Sequence, residues 1–334
     1  MRRAIAIPAV ALAALAPVAC GGGDGAGEGA EPATGASTAA EADRFDAERA
    51  MRDLRAQVRF GPRPAGSEAN RRMTRFLARR LREAGVERVR IQRPHRNVVG
   101  VIPGAEPGAV VVGAHHDTKD DIPNFVGAND GASGVAVVLE LARTLPDEMD
   151  GPAIHISLFD AEETRGDRPF TEDGTRGSRQ YVRYARRDGR QGSPPLYEIE
   201  AMVLFDLVGD CDLQIPREAN SDEGLYEAFA DAAAERSVTG SPAPFVGEAG
   251  SILDDHIPFR DAGIPAVDLI DFAYGPGPSP GKWWHSPKDT LERVCADSLD
   301  AVGEAALGAL PELPAPASRG TAALVPAGAA AANY

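Results

Sequence analysis

The chain has 334 residues, 43% hydrophobic and 25% charged, enough for one large buried core or two small ones, and its net charge is −15. That charge argues against nucleic acid as a general partner. It is unevenly spread: residues 44–96 hold 16 Arg against 6 acidic residues, a local +10 that leaves about −25 elsewhere. Two solvated amphipathic helices account for such a stretch, and attraction to an anionic membrane surface is the alternative.

In chain order, residues 1–20, "MRRAIAIPAVALAALAPVAC", join two arginines to an apolar run too short to span a bilayer and then small residues, the pattern of an export signal. The run ends at Cys20 and resembles a bacterial lipoprotein signal, in which that cysteine carries the lipid; Pro17 departs from the usual aliphatic residue. The resemblance implies a cell-envelope lipoprotein, with plain secretion as the alternative. Residues 21–42, rich in Gly, Ala and Glu, read as a flexible tether, residues 43–312 as one domain, and the Ala/Pro-rich residues 313–334 as a disordered tail. Export permits a disulfide between Cys211 and Cys295. A separation of 84 positions says nothing about proximity, so two separate thiols are the expectation.

Within the body, Ala47, Met51, Leu54 and Val58 share one helical face, and Gly61 and Pro62 end that helix. A second helix is predicted over 71–84. Strands are predicted at 86–92, 97–102, 109–113, 154–159, 202–205 and 266–270, and helices at 134–145, 178–187, 222–234 and 297–310. Continuously apolar strands alternating with helices imply an α/β fold: a three-layer α/β/α domain with a mixed, mostly parallel twisted sheet.

Three strands finish in ligand-type residues: His115 and Asp117 after the 109–113 strand, Asp160, Glu162 and Glu163 after 154–159, and Asp206 after 202–205. Open parallel sheets place their sites at such carboxyl ends. Asp130, in "GANDGASG", precedes a helix, and His285 follows a Gly/Pro-rich loop at 273–284. A lone acid at a strand end is usually a cap. Carboxylates converging from several strands repel unless a cation neutralises them, and imidazoles with carboxylates suit Zn²⁺ better than calcium or magnesium. Other groups carry less. Ser133 does not complete Gly-x-Ser-x-Gly and reads as helix packing; His155 reads as a hydrogen-bonded core residue, His95 as solvent-exposed, and His116 as turned away from His115. For His256, a supporting hydrogen bond and a helix cap are both open.

"HHDTK", "GANDGASG", "FDAEE" with "GSR" downstream, "FDLVG", "DDHIPF", "AGIPAVDLI" and "WWHS" together resemble the zinc aminopeptidase clan, and within it the glutaminyl-peptide cyclotransferase branch, over residues 44–310. The resemblance implies metal ligands at His115, Asp130, Glu163, Asp206 and His285. Two-zinc aminopeptidases of the clan bridge the metals with the position of Asp130, one metal taking His115 and Asp206 and the other Glu163 and His285. Animal-type cyclases hold one zinc at Asp130, Glu163 and His285. The cofactor implied is therefore Zn²⁺, one or two ions. Trp284, Lys119 and Phe170 fall at substrate-binding positions, and Glu162, Asp206 and Asp254 at catalytic ones. Two positions depart from animal cyclases: no tryptophan follows the Glu162–Glu163 pair, and Asp268 replaces a histidine.

The resemblance implies an enzyme acting on peptide or protein N-termini, as a monomer, with no nucleic-acid partner and membrane contact through a lipidated Cys20. As a cyclase it closes an N-terminal glutamine to pyroglutamate and releases ammonia, with Glu162 moving the proton and the Asp206–Asp254 pair holding the intermediate. As an aminopeptidase it hydrolyses the first peptide bond, Glu162 deprotonating a water between two zinc ions. A tethered zinc- or peptide-binding lipoprotein without turnover is the third reading, and it predicts a missing base where Glu162 stands.

Overall fold

The computed structural model describes residues 44–235 and 244–313; the signal with Cys20, the tether and the tail beyond Leu313 lie outside the described residues. Helix α1 (Ala47–Val58) starts where the Asp46 carboxylate accepts the Arg49 N–H at 2.7 Å. Helix α2 (Glu68–Glu83) begins earlier than its apolar spacing predicts, because Ser67 caps it by accepting the Asn70 N–H at 3.0 Å. Then come β1 (Glu87–Ile91), β2 (Val98–Ile102), β3 (Ala109–His115), α3 (Ala132–Thr144), β4 (Ala153–Phe159), α4 (Phe170–Asp173), α5 (Arg176–Ala185) and β5 (Ile199–Asp206). The chain closes with β6 (Ile215–Glu218), α6 (Glu223–Glu235), β7 (Phe245–Ala249), α7 (Ile257–Arg260), β8 (Ala266–Ile270) and α8 (Ala296–Glu312).

Six strands form one sheet in the order β1-β2-β4-β3-β5-β8. β1 and β2 enter antiparallel, whereas β4, β3, β5 and β8 run parallel, so their carboxyl ends share one edge. Side chains alternate across the sheet. Val110, Val112 and Ala114 of β3 join the larger core with α1, α2, α3 and α8, while Val111 joins the smaller core with Tyr181 and Val182 of α5. Burial on both faces is why β3 reads as an unbroken apolar run.

α3 is buried from Ala132 through Ala142. Gly134 lets it approach β5 closely: a Cβ there would stand 2.0 Å from the Phe205 carbonyl oxygen. Two buried acids stitch the helices of this layer. Asp53 of α1 pairs with Arg80 of α2 at 2.9 Å and with Arg143 of α3, and Glu140 of α3 accepts from Arg49 at 2.8 Å.

The main differences from the sequence reading concern short or distant features. The parallel pair β6–β7 was not anticipated; its "IPRE" and "FVGEA" segments are brief and polar, so no two-residue alternation marks them. Cys211 and Cys295 are not separate thiols. They form a disulfide, because the turn after β5 meets the start of α8 across an Asp210–Val294 bridge, and Cys295 N–H donates to the Gly209 carbonyl at 3.0 Å. His95 is half-buried rather than exposed, since its backbone N–H and carbonyl both bond the Gln180 side-chain amide at 3.0 Å. Among the described residues, no helix is long and apolar enough to cross a membrane.

Candidate active site

At the carboxyl edge of the sheet the five sequence-predicted ligands meet. Two groups form, each with ligand atoms within 4.8 Å of one another: His115, Asp130 and Asp206, and then Asp130, Glu163 and His285. Asp130 belongs to both and divides its oxygens, Oδ1 lying 3.3 Å from His115 Nε2 and Oδ2 3.6 Å from His285 Nε2. His115 Nε2 also faces Asp206 Oδ1 at 3.2 Å, and His285 Nε2 faces Glu163 Oε2 at 3.3 Å.

Each ligand has a reason to be where it is. His115 and Asp206 end paired parallel strands, and Glu163 lies just past β4. Asp130 sits before α3, where Gly131 takes φ +89° and a Cβ would come within 2.9 Å of the His115 ring. The His285 imidazole is held between aromatic rings, stacked on Trp284 at 3.8 Å and met edge-on by Phe125 at 5.9 Å.

Behind the ligands stand two residues that the sequence reading did not single out. The buried Asp289 carboxylate accepts the backbone N–H groups of Asn129 (2.8 Å) and Asp130 (3.0 Å) and the Tyr274 hydroxyl (2.8 Å). Burial and the Asp130 charge push Asp289 up to about 7. Arg63 is fully buried and donates to the carbonyls of His116 (2.9 Å), Gly127 (2.9 Å) and Val126, tying the turn after β3 to the Asp130 loop. Burial lowers its guanidinium to about 10, against the raising charges of Asp289 and Asp130. The signals were present in the "KDT" that follows His285 and in "GPRP", but neither residue carries a motif that separates support from surface.

The electrostatics favour a cation. Burial opposes charge on His115, yet Asp206, Asp117 and Asp130 raise its imidazole well above the ordinary value. Burial likewise opposes charge on His285, which Glu163 and Asp130 raise. Burial and the Asp130 charge raise Glu163. Burial also opposes charge on Asp130, but its two imidazoles lower it. So many acids in one pocket ionise together only beside added positive charge. Among the described residues the buried His115 Nδ1 and Glu163 Oε1 have no hydrogen-bond partner, and the set combines imidazole nitrogens with carboxylate oxygens. These residues fit a divalent metal ion.

Glu162 is placed differently from Glu163. Its backbone N–H donates to Asp117 Oδ1 at 3.1 Å, and its Oε2 stops 4.0 Å from His115 Nδ1, outside both ligand groups. Burial and the Asp254 charge raise it well above the carboxylate range. Asp254 is raised by burial and by Asp206.

The ligands open onto a cavity of about 420 Å³, also lined by Ile252, Phe272 and Trp284. Phe170 and Lys119 line it too. The Lys119 ammonium, however, is committed to Thr164 O (3.0 Å), Thr164 Oγ1 (2.9 Å), the Gly166 carbonyl and Asp121 (3.2 Å), so it organises the 164–166 loop. A larger cavity of about 500 Å³ lies beside Cys211 and Trp283 and holds none of the ligand residues. His116 is buried, 3.4 Å from the Arg96 carbonyl and away from the ligands. His256 is buried between Glu218 (3.3 Å) and Asp268 (3.6 Å) and makes no side-chain helix cap. Ser133 does more than pack: it accepts the Val208 N–H at 3.1 Å.

Comparison with known proteins follows the same geometry. The sequence pattern of peptidase family M28 matches residues 97–310, which include all five ligands. The chain belongs to peptidase family M28. Relatives within the family are of two kinds. Aminopeptidase YwaD of Bacillus subtilis is 28% identical over 213 residues, 62% of this chain and 41% of that protein. The glutaminyl-peptide cyclotransferase of Boiga irregularis is 26% identical over 241 residues, 64% of each chain. The chain thus spans less than two thirds of the length of these curated relatives. Among solved structures, Porphyromonas gingivalis glutaminyl cyclase superposes with a TM-score of 0.69 at 31% identity, covering 81% of this chain and 99% of that one. A leucine aminopeptidase precursor of Bacteroides thetaiotaomicron gives 0.64 at 25% identity, covering 81% and 98%. The family likeness includes the glutaminyl cyclase branch, and the three-layer fold is common to both kinds.

Proposed function

We propose that this chain is a zinc-dependent glutaminyl-peptide cyclotransferase, converting the N-terminal glutamine of peptides to pyroglutamate with release of ammonia. The observation that carries an enzymatic reading is the carboxyl of Glu162, buried and outside the ligand groups beside Asp254, a base that cyclase and aminopeptidase chemistry both use. The likeness to glutaminyl cyclase structures supports the cyclase.

In this reading Asp130, Glu163 and His285 hold zinc, with His115 and Asp206 available to a second ion. Zinc, when bound, supplies Lewis acidity toward the substrate's side-chain carbonyl. The cavity lined by Trp284, Ile252 and Phe272 receives the glutamine side chain. Glu162 accepts a proton from the substrate α-amine as that nitrogen bonds to the carboxamide carbon, closing a five-membered ring. It then gives the proton to the departing nitrogen, which leaves as ammonia. The Asp206–Asp254 pair shares a proton in this reading, and Asp254 hydrogen-bonds the nitrogen that leaves. Amine and carbonyl belong to one residue, so the protein's task is conformation and charge placement.

A specific observation favours a second reading. Asp130 serves two ligand groups with separate oxygens, which suits two ions and so an aminopeptidase, while the same five positions are present in cyclases. Incubating the zinc-loaded protein with Gln-peptides and with Leu- and Ala-anilides separates the two. Ammonia and pyroglutamate without cleavage support the cyclase; release of free amino acid or aniline supports the peptidase; neither product leaves a binding lipoprotein. The proposal also takes the protein to be exported and acylated at Cys20, which mass spectrometry of the membrane fraction tests.

A further inference from the structure

Part of the +10 charge of residues 44–96 meets arginines of α5 around loop 92–97. Loop 92–97 joins β1 to β2 and lies against α5, where Gln180 bonds the His95 backbone and Tyr184 the Arg93 carbonyl. Arg71 and Arg75 of α2 lie close enough to depress Arg96 along with Arg93, after burial, and the charge of Arg183 on α5 is felt at His95. Arg75, Arg93, Arg183 and Arg186 are exposed, and among the described residues no carboxylate lies within ion-pair distance of them. The acids on these elements do not cancel the charge. Glu68 is engaged by Arg72 and Glu83 by Arg79 and Arg80, leaving Glu87 and Asp188. Beside α5 the face is notched by a cavity of about 290 Å³, where Arg179, Arg183 and Arg186 oppose Ile257, Pro258 and Asp261.

We propose that this arginine face, centred on loop 92–97, docks the domain on an anionic phospholipid surface. Guanidinium groups pair with phosphate in two-point hydrogen bonds, and each basic side chain near such a surface adds to binding. A surface rather than a strand is the partner, because the rest of the chain carries about −25. A polyanion long enough to wrap the domain meets that negative charge, whereas a bilayer meets only one face and orients the molecule. The basic loop enters β2 opposite the end of β4, Val98 pairing with Leu158, so docking sets the lipid at the sheet edge that bears the cavity. The inference does not depend on which reaction the site performs.

The test is co-sedimentation of the full chain carrying Cys20→Ala, which removes any acyl contribution, with two vesicle preparations. One is phosphatidylcholine alone; the other is phosphatidylcholine and phosphatidylglycerol in equal parts. Binding is expected to the anionic vesicles only, and it should vanish in 1 M salt, where the screening length is about 3 Å. Combining Arg75→Glu, Arg93→Glu and Arg183→Glu should weaken it on the order of 100-fold while turnover of a small peptide substrate is retained. Equal binding to both vesicles, or anionic binding unaffected by the triple variant, overturns the proposal. So does retention on immobilised polyglutamate or heparin without vesicle binding, which assigns the face to an acidic macromolecule instead.

Discussion

Glu162 and Glu163 are adjacent in the chain and differ in what they touch, so substitution separates their roles. Glu162→Gln keeps both ligand groups intact and removes the titrating carboxyl. Turnover should fall on the order of 10²- to 10⁴-fold with zinc content unchanged, and near-full activity in that variant would reject Glu162 as the proton carrier. Glu163→Ala removes one ligand of three from the group it shares with Asp130 and His285, and elemental analysis should show metal lost from it. Asp289 touches no ligand side chain, yet it holds the Asp130 backbone. Asp289→Ala should weaken zinc affinity about 10- to 100-fold, measured by chelator competition; unchanged affinity would reduce Asp289 to an ordinary buried acid. The ligand types were legible in "HHD", "GAND", "FDAEE" and "WWHS", because imidazoles and acids closing several apolar strands at one sheet edge need a cation to offset their charge. Asp289 and Arg63 were not, since a support residue is recognised only by the backbone groups it meets.

At the scale of elements, the site depends on how closely α3 lies on β5, because Asp130 leads into one and Asp206 ends the other. Gly134 sets that distance. Gly134→Ala must push the helix off the Phe205 carbonyl, so a loss of about 1–3 kcal/mol is expected from overpacking. Zinc affinity should fall with it, and chemical denaturation with metal titration on the same samples checks both. The Cys211–Cys295 bridge holds the turn after β5 to the start of α8, closing a long loop that contains β6 to β8. Replacing both cysteines by serine should cost about 2–4 kcal/mol, read as a lower denaturation midpoint; an unchanged midpoint would mean the bridge is incidental. Helices and strands of the main sheet were visible as apolar periodicities. The bridge was not, because its partners come together only once β8 has returned to pair with β5.

For the whole molecule, buried acid dominates the pH response. Asp255, Asp271 and Asp289 are all pushed up to about 7, chiefly by burial. A carboxyl raised in the folded chain holds a proton that the unfolded chain has already released, so its stabilising contribution is lost as pH rises toward and through 7. His155, lowered by burial to about 4, acts in the opposite sense, but only below the ordinary histidine value. Between about pH 6.5 and 8 the acids therefore decide. In chelator, the thermal midpoint should fall over that interval, and added zinc should restore it at the upper end by supplying the missing positive charge. A metal-free midpoint that rises with pH would contradict this account.

The amino-acid sequence by itself determined the layered α/β architecture and the identity of the metal-type side chains. Both follow from local chemistry: strands buried on two faces must be continuously apolar, and groups costly to bury stand out against them. Only the tertiary structure decided that Asp130 faces two imidazoles at once, that Lys119 is spent on a loop, that Cys211 meets Cys295, and that Arg71, Arg75 and Arg93 come close to Arg96. Those outcomes depend on distances between segments remote in the chain, and a distance is set by packing, not by spacing along the sequence.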